Sequence, residues 1–187
     1  MVIVAVTSRN NKNEHDEANK LLCSLVSHYH GSSAKILTGK NGRPYIENGT
    51  FDISLSHSKD AVAVAITVSS HFPDYSADGV ILFKLDIDAK AVGIDIECKS
   101  ERNERRCLSV AQGFFGEAEF SKIRNSQDKV ATFLKFWTKK EATLKLTGEG
   151  IAGLRGLADN MPRDIMLTEK QINISGDTYF LSLATKS

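Results

Sequence analysis

The sequence predicts an α+β chain of two similar halves, each a helix packed on an antiparallel sheet. Three observations lead there. Two long segments carry apolar residues at helical spacing, each helix is followed by short strand-like runs, and this order occurs twice, dividing the chain near residue 90 into 1–90 and 91–187. A chain of 187 residues with 41% hydrophobic and 25% charged content forms one soluble domain or two small ones, with enough apolar side chains for a real core.

In the first half, Ala18, Leu21, Leu22, Leu25 and Val26 recur at helical spacing, which predicts a helix from about Lys12 to His30, stopped by Gly31. "FDISLSH" alternates Phe51, Ile53 and Leu55 inward, "AVAVAITV" reads as its buried partner, and "VILFKLDI" over Val80 to Ile87 is a further strand. Ser69 to Gly79 is a loop, rich in Ser, Asp, Pro and Gly. The second half opens with "VGIDIE", Val92 to Glu97, near the seam. A strong helix then runs from about Ser126 to Thr147, closed by Gly148 and Gly150. "DIMLTE", "QINIS" and "TYFLSLAT" are its strands, the last two flanking a hairpin turn at Gly176-Asp177.

A net charge of +1 gives no global field to attract a polyanion. Cys23, Cys98 and Cys107 are odd in number and lack zinc-like spacing, which suits reduced thiols in a cytoplasmic protein. The opening "MVIVAV" is too short for a signal core and has no basic lead, and no apolar run approaches membrane-spanning length.

Asp95 and Glu97 interrupt a strand that otherwise reads as buried. Residues i and i+2 of a strand share a face about 7 Å apart, so the two carboxylates stand side by side while Ile94 and Ile96 take the other face. Together they raise each other's pKa unless a cation or donors intervene, and paired hard oxygens are what Mg²⁺ or Mn²⁺ selects. A solvated strand face is the plainer reading. On the second helix, Val130, Phe133, Leu134, Trp137 and Leu144 form the apolar stripe, and Glu141 falls on it. A carboxylate there needs a partner. Lys145, one turn on, offers an ordinary helical ion pair; alternatively Asp95, Glu97 and Glu141 make a three-carboxylate cation site with a lysine beside it, suited to phosphate chemistry.

These residues carry a resemblance. Gly93-Ile94-Asp95-Ile96-Glu97 and Trp137-Thr138-Lys139-Lys140-Glu141-Ala142-Thr143-Leu144-Lys145 are similar to the signature of the 4′-phosphopantetheinyl transferases of the larger, pseudo-dimeric Sfp type. Upstream, Gly42-Arg43-Pro44-Tyr45 resembles the family's Gly-Lys/Arg-Pro segment, and Ser54-Leu55-Ser56-His57-Ser58 its Asn-x-Ser-His-Ser segment, in the family's order. The resemblance covers Gly42 to Gly150 and implies two subdomains related by a pseudo-twofold. It implies transfer of the phosphopantetheine arm of coenzyme A to a serine of an acyl or peptidyl carrier protein, leaving adenosine 3′,5′-bisphosphate. By the family pattern Asp95, Glu97 and Glu141 hold Mg²⁺, and Lys145, with Lys140 as a second contact, neutralises the pyrophosphate. Arg43 and His57 hold the 3′-phosphate end of coenzyme A, and Glu119 aligns with a family glutamate assigned to take the serine proton, Glu141 or a metal-bound water being the alternatives. Relatives of this type act as monomers, and the near-neutral charge and short apolar runs noted above lead to the expectation of neither nucleic acid nor membrane as partner.

Two departures stand out. Of the basic residues that longer relatives place around the first helix, only Lys20 lies near the match, with Arg9 and Lys12 upstream. The spacing from His57 to Asp95 is also wide, with Ser69 to Lys90 as the extra segment. Two other readings remain. A metal-dependent nuclease would use Asp86 or Asp88 with Glu97 and Lys99, a reading that the lack of a basic stripe disfavours; a coenzyme A or carrier-protein binding module would have the cleft without turnover.

Overall fold

The computed structural model describes residues 1–8, 14–31, 35–47, 49–69, 75–158 and 160–187. Arg9, Lys12 and residues 70–74 of the expected loop lie outside the described residues. In chain order the first half comprises β1 (Val2–Ser8), α1 (Glu14–His30), β2 (Ile36–Thr38), β3 (Pro44–Ile46), β4 (Ile53–Ser58), β5 (Ala61–Thr67) and β6 (Val80–Leu85). The second comprises β7 (Ala91–Cys98), α2 (Glu104–Phe114), α3 (Glu117–Asn125), α4 (Lys129–Thr147), β8 (Met166–Ile174) and β9 (Asp177–Lys186).

A helix with one apolar stripe must cover something, and α1 lays Ala18, Leu22 and Leu25 on Ile3, Ala5, Ile53, Val62, Val64 and Ile66 of the first sheet. That sheet has the order β4-β5-β1-β6, antiparallel throughout. Its centre is β1, which pairs Val4 with Ala65 on one side and with Phe83 on the other. "VIVAV" is apolar at every position because both faces of this strand are covered. Val2, Val4, Val6, Ala61, Ala63 and Ala65 turn away from α1 and meet Ile94, Ile96, Leu181 and Leu183 of the second sheet, order β7-β9-β8. The far face of that sheet carries α4, with α2 and α3 beside it. The layers thus run helix, sheet, sheet, helix, and no helix among the described residues is long and apolar enough to cross a membrane.

Several elements differ from expectation. The last helix begins at Lys129, because Asp128 caps it by accepting the amide of Ala131 at 3.0 Å, while Ser126 ends α3. "DIMLTE" and "QINIS" are one continuous strand, β8. Its hairpin turns at Ser175-Gly176, one residue earlier than expected: both have positive φ, 51° and 87°, and Ile174 faces Asp177. β1, the β2–β3 hairpin and α2 have no counterpart in the sequence reading, and α3 only in the plainer reading of Glu119 as an exposed helix-start glutamate, which is at the helix start but buried.

Gly93 fixes how α4 lies on β7. A Cβ at this position would stand 2.0 Å from the carbonyl oxygen of Ala142 and 2.5 Å from the amide nitrogen of Leu146, so helix and strand backbones touch there. Glu141 and Lys145 flank that contact on α4, and Asp95 follows it on β7.

Candidate active site

One edge of β7 is paired with β9. The other faces β4, which meets it through side chains instead of a backbone ladder. The amide of Val92 donates to Asp52 Oδ2 (2.9 Å), that of Ile94 to Ser54 Oγ (3.0 Å), that of Ile96 to Ser56 Oγ (3.3 Å) and that of Cys98 to Ser58 Oγ (2.9 Å). Strand alternation makes this possible: Ile53 and Leu55 join the α1 core, so Ser54, Ser56 and Ser58 all face β7 and are buried. Four edge amides that would otherwise lack acceptors are satisfied in this way.

Asp95 is 4% exposed, which excludes the solvated strand face. Its Oδ1 accepts hydrogen bonds from Ser56 Oγ and Lys145 Nζ, both at 2.8 Å, and its Oδ2 is buried with no partner. Burial holds its pKa above the ordinary carboxylate range against the opposing pull of Lys145, and the charge of Glu97 pushes the same way as burial. Glu97 takes Ser58 Oγ at 2.9 Å, the Arg102 guanidinium, and Trp137 Nε1 at 3.2 Å. Glu141 Oε1 is buried without a partner. Its carboxyl is pushed up to about 7, first by burial and then by the Asp95 charge, with Lys145 opposing and Glu97 adding. The lysine one turn along α4 therefore does not form the local helical pair that spacing suggested; it reaches across to Asp95. Among the described residues no three His, Cys, Asp or Glu side chains are arranged to hold a metal ion as they stand, Glu97 being turned toward Arg102 and Trp137. A cavity of about 150 Å³ brings Glu141 and Lys145 together with Arg43, Ser54, Leu144 and Gly148.

The sequence model of the 4′-phosphopantetheinyl transferase superfamily matches residues 91–185, from the start of β7 to the end of β9. The chain belongs to this superfamily. Among its relatives is the L-aminoadipate-semialdehyde dehydrogenase-phosphopantetheinyl transferase of Saccharomyces cerevisiae, 25% identical over 76% of this chain and 50% of that protein. The 4′-phosphopantetheinyl transferase AcpT of Salmonella typhi is 25% identical over 81% of this chain and 67% of its own length. The 4′-phosphopantetheinyl transferase psf-1 of Bacillus pumilus is 30% identical over 68% and 46%. The chain spans about half the length of the curated relatives it matches.

The other residues that the superfamily pattern singles out fall in three places. Arg43 lines the cavity, but its guanidinium donates to Leu146 O (2.9 Å), Val92 O (3.4 Å) and Asp52. It thereby ties the β2–β3 loop to α4 and β7. Lys140 is 1% exposed and points to Glu119 Oε2, at 2.9 Å, and to the carbonyl of Leu157. Glu119 also accepts the amide of Gly116 at the start of α3, so the expected base and the expected second pyrophosphate contact are engaged with each other in the interior. His57 is exposed, and strand alternation sets it on the face of β4 opposite the three serines. Lys20 is exposed on α1, paired with Glu17 at 2.8 Å.

Ser54, Ser56 and Ser58 of the upstream segment serve β7. Ser56, Ser58, Arg102 and the indole of Trp137 all touch the acids, yet sequence reasoning gave none of them that role. The period-two serines opposite a strand carrying two acids at the same period were the available signal. Of the nuclease set, Lys99 pairs with Asp128 on the surface, and Asp86 and Asp88 precede β7 while Glu97 lies at its far end, roughly 20 Å along the strand. That constellation does not assemble.

Proposed function

We propose that this chain transfers the 4′-phosphopantetheine arm of coenzyme A to a serine hydroxyl of an acyl or peptidyl carrier protein, with Mg²⁺, releasing adenosine 3′,5′-bisphosphate. Superfamily membership supports the reaction class. The observation that carries the site is the pair of buried, unpartnered carboxylate oxygens, Asp95 Oδ2 and Glu141 Oε1, on side chains whose charges repel each other beside the Lys145 ammonium. Such hard, anionic oxygens fit a divalent cation, with Glu97 as the third donor after it turns from Arg102. When bound, Mg²⁺ supplies charge neutralisation at the pyrophosphate.

The chain's own groups do the rest. Lys145, already directed into the acid pair from the cavity side, neutralises the departing phosphate. Glu119 is the base that the resemblance assigns to the serine proton, and Glu141, which as a donor to the cation is held ionised, is the alternative. Arg43 holds the cavity wall through Leu146 and Val92, while His57 and Lys20, both exposed, take the 3′-phosphate end of coenzyme A. The superfamily match beginning at β7 supports division into a coenzyme A-facing part, 1–90, and a metal-bearing part, 91–187, and the helix-on-sheet build of each supports a pseudo-twofold relation.

Incubation with Mg²⁺, coenzyme A and a panel of carrier proteins tests the reading by mass spectrometry. One phosphopantetheine added to a carrier is expected from the native chain, and none from Asp95→Ala or Glu141→Ala. Full transfer by both variants would reject the site.

A further inference from the structure

The contact between β4 and β7 repeats with a constant offset. Each of Ser56 and Ser58 accepts an amide of β7 and donates to the carboxylate of the residue before that amide: Ser56 to Asp95 at 2.8 Å, Ser58 to Glu97 at 2.9 Å. A hydroxyl has one proton and two lone pairs. With the amide held at a lone pair, the proton is aimed at the acid, and both serines are buried, so no water competes freely for it. Ser54 makes the same amide contact with Ile94, but the residue before Ile94 is Gly93, which has no side chain to receive a proton. The carboxylate half of the pattern begins where the acids begin.

Asp95 shows the consequence. Ser56 and Lys145 both occupy Oδ1, so it is Oδ2 that is left without a partner. A serine on the first sheet thus decides which oxygen of an aspartate on the second sheet is presented.

We infer, on the strength of the metal-site reading proposed above, that Ser56 and Ser58 are positioning residues: Ser56 locks the rotamer of Asp95 so that its Oδ2 meets a divalent cation without reorganisation, and Ser58 anchors the Glu97 carboxylate at the site as it turns from Arg102. Partners of this kind typically change metal affinity by about 10- to 100-fold when removed.

The test is Mn²⁺ binding by electron paramagnetic resonance on the full chain, with and without coenzyme A, in the native protein and in Ser56→Ala, Ser58→Ala, Ser56→Thr and Ser58→Thr. Circular dichroism verifies that each variant is folded, and the two serines give independent chances that one pair of variants folds. The alanine variants are expected to bind Mn²⁺ about tenfold more weakly and with a broadened spectrum, and the threonine variants, which keep the hydroxyl, to recover most of that loss. Folded alanine variants with native Mn²⁺ affinity, or equal losses in alanine and threonine variants, would overturn the positioning role while leaving the metal site standing. A native chain that binds no Mn²⁺ with coenzyme A present would overturn the metal site itself, and the positioning role with it.

Discussion

Glu141 sits in an environment far from what water would give it. Helix spacing offered it Lys145, but the fold gives that lysine to Asp95 and leaves a carboxylate oxygen buried and unpaired. Its pKa is raised from 4.5 to about 7, so the neutral form is the one the folded chain favours. The sign follows: the stability this residue contributes is fully present below pH 4.5 and is lost as pH rises through 7. In EDTA, urea unfolding at pH 5 and pH 8 is expected to show the native chain losing roughly 1–2 kcal/mol more than Glu141→Gln across that interval, after allowance for solvent screening of a partly exposed group. Parallel pH profiles for the two proteins would contradict this. The acids themselves were legible because carboxylates at apolar positions are costly. The partner of Lys145 was not, since sequence spacing reports only on neighbours along one helix.

At the scale of elements, the decisive contact is β7 against α4 at Gly93. Backbone-to-backbone approach leaves no flexible side chain to yield, so Gly93→Ala is expected to cost about 3 kcal/mol or more, the upper range for overpacking. The shift is read from the denaturation midpoint at unchanged slope, and a loss below about 1 kcal/mol would show that strand and helix part easily. Long amphipathic helices such as α1 and α4 were legible from period alone. The helices α2 and α3 were not, because "ERNERR" and "GEAEF" place mostly charged and small residues on surfaces that only partly bury. The one-residue shift at the β8–β9 hairpin has a similar cause: Gly176 marks the turn, but only pairing between the strands shows that Ser175, itself at positive φ, is the other turn residue.

Across the whole molecule, the two sheets share a core, and polar side chains stitch their edges together. Arg43 is the most connected of these, bonding to Asp52 on its own half and to Val92 and Leu146 on the other. Removing it leaves the Asp52 carboxylate, whose pKa burial already raises, with the Val92 amide but without its guanidinium partner. Arg43→Ala is therefore expected to destabilise the chain by roughly 2–4 kcal/mol, visible as a lower thermal midpoint in calorimetry; an unchanged midpoint would show that the apolar interface and the β4–β7 hydrogen bonds hold without it. The mixture of helices with antiparallel sheets was legible from the order of elements, whereas the edge-to-edge serine contact of β4 with β7 was not, because long-range pairing leaves no local mark.

The central claim is that Asp95, Glu97 and Glu141 serve one divalent cation beside Lys145. Anomalous diffraction from crystals grown with Mn²⁺ and coenzyme A tests it most directly. The expected result is a single Mn²⁺ peak bonded to oxygens of all three carboxylates and to the pyrophosphate, with Glu97 turned away from Arg102. A peak elsewhere, or bound coenzyme A with Glu97 still on Arg102 and no Mn²⁺ at Asp95 and Glu141, would contradict it.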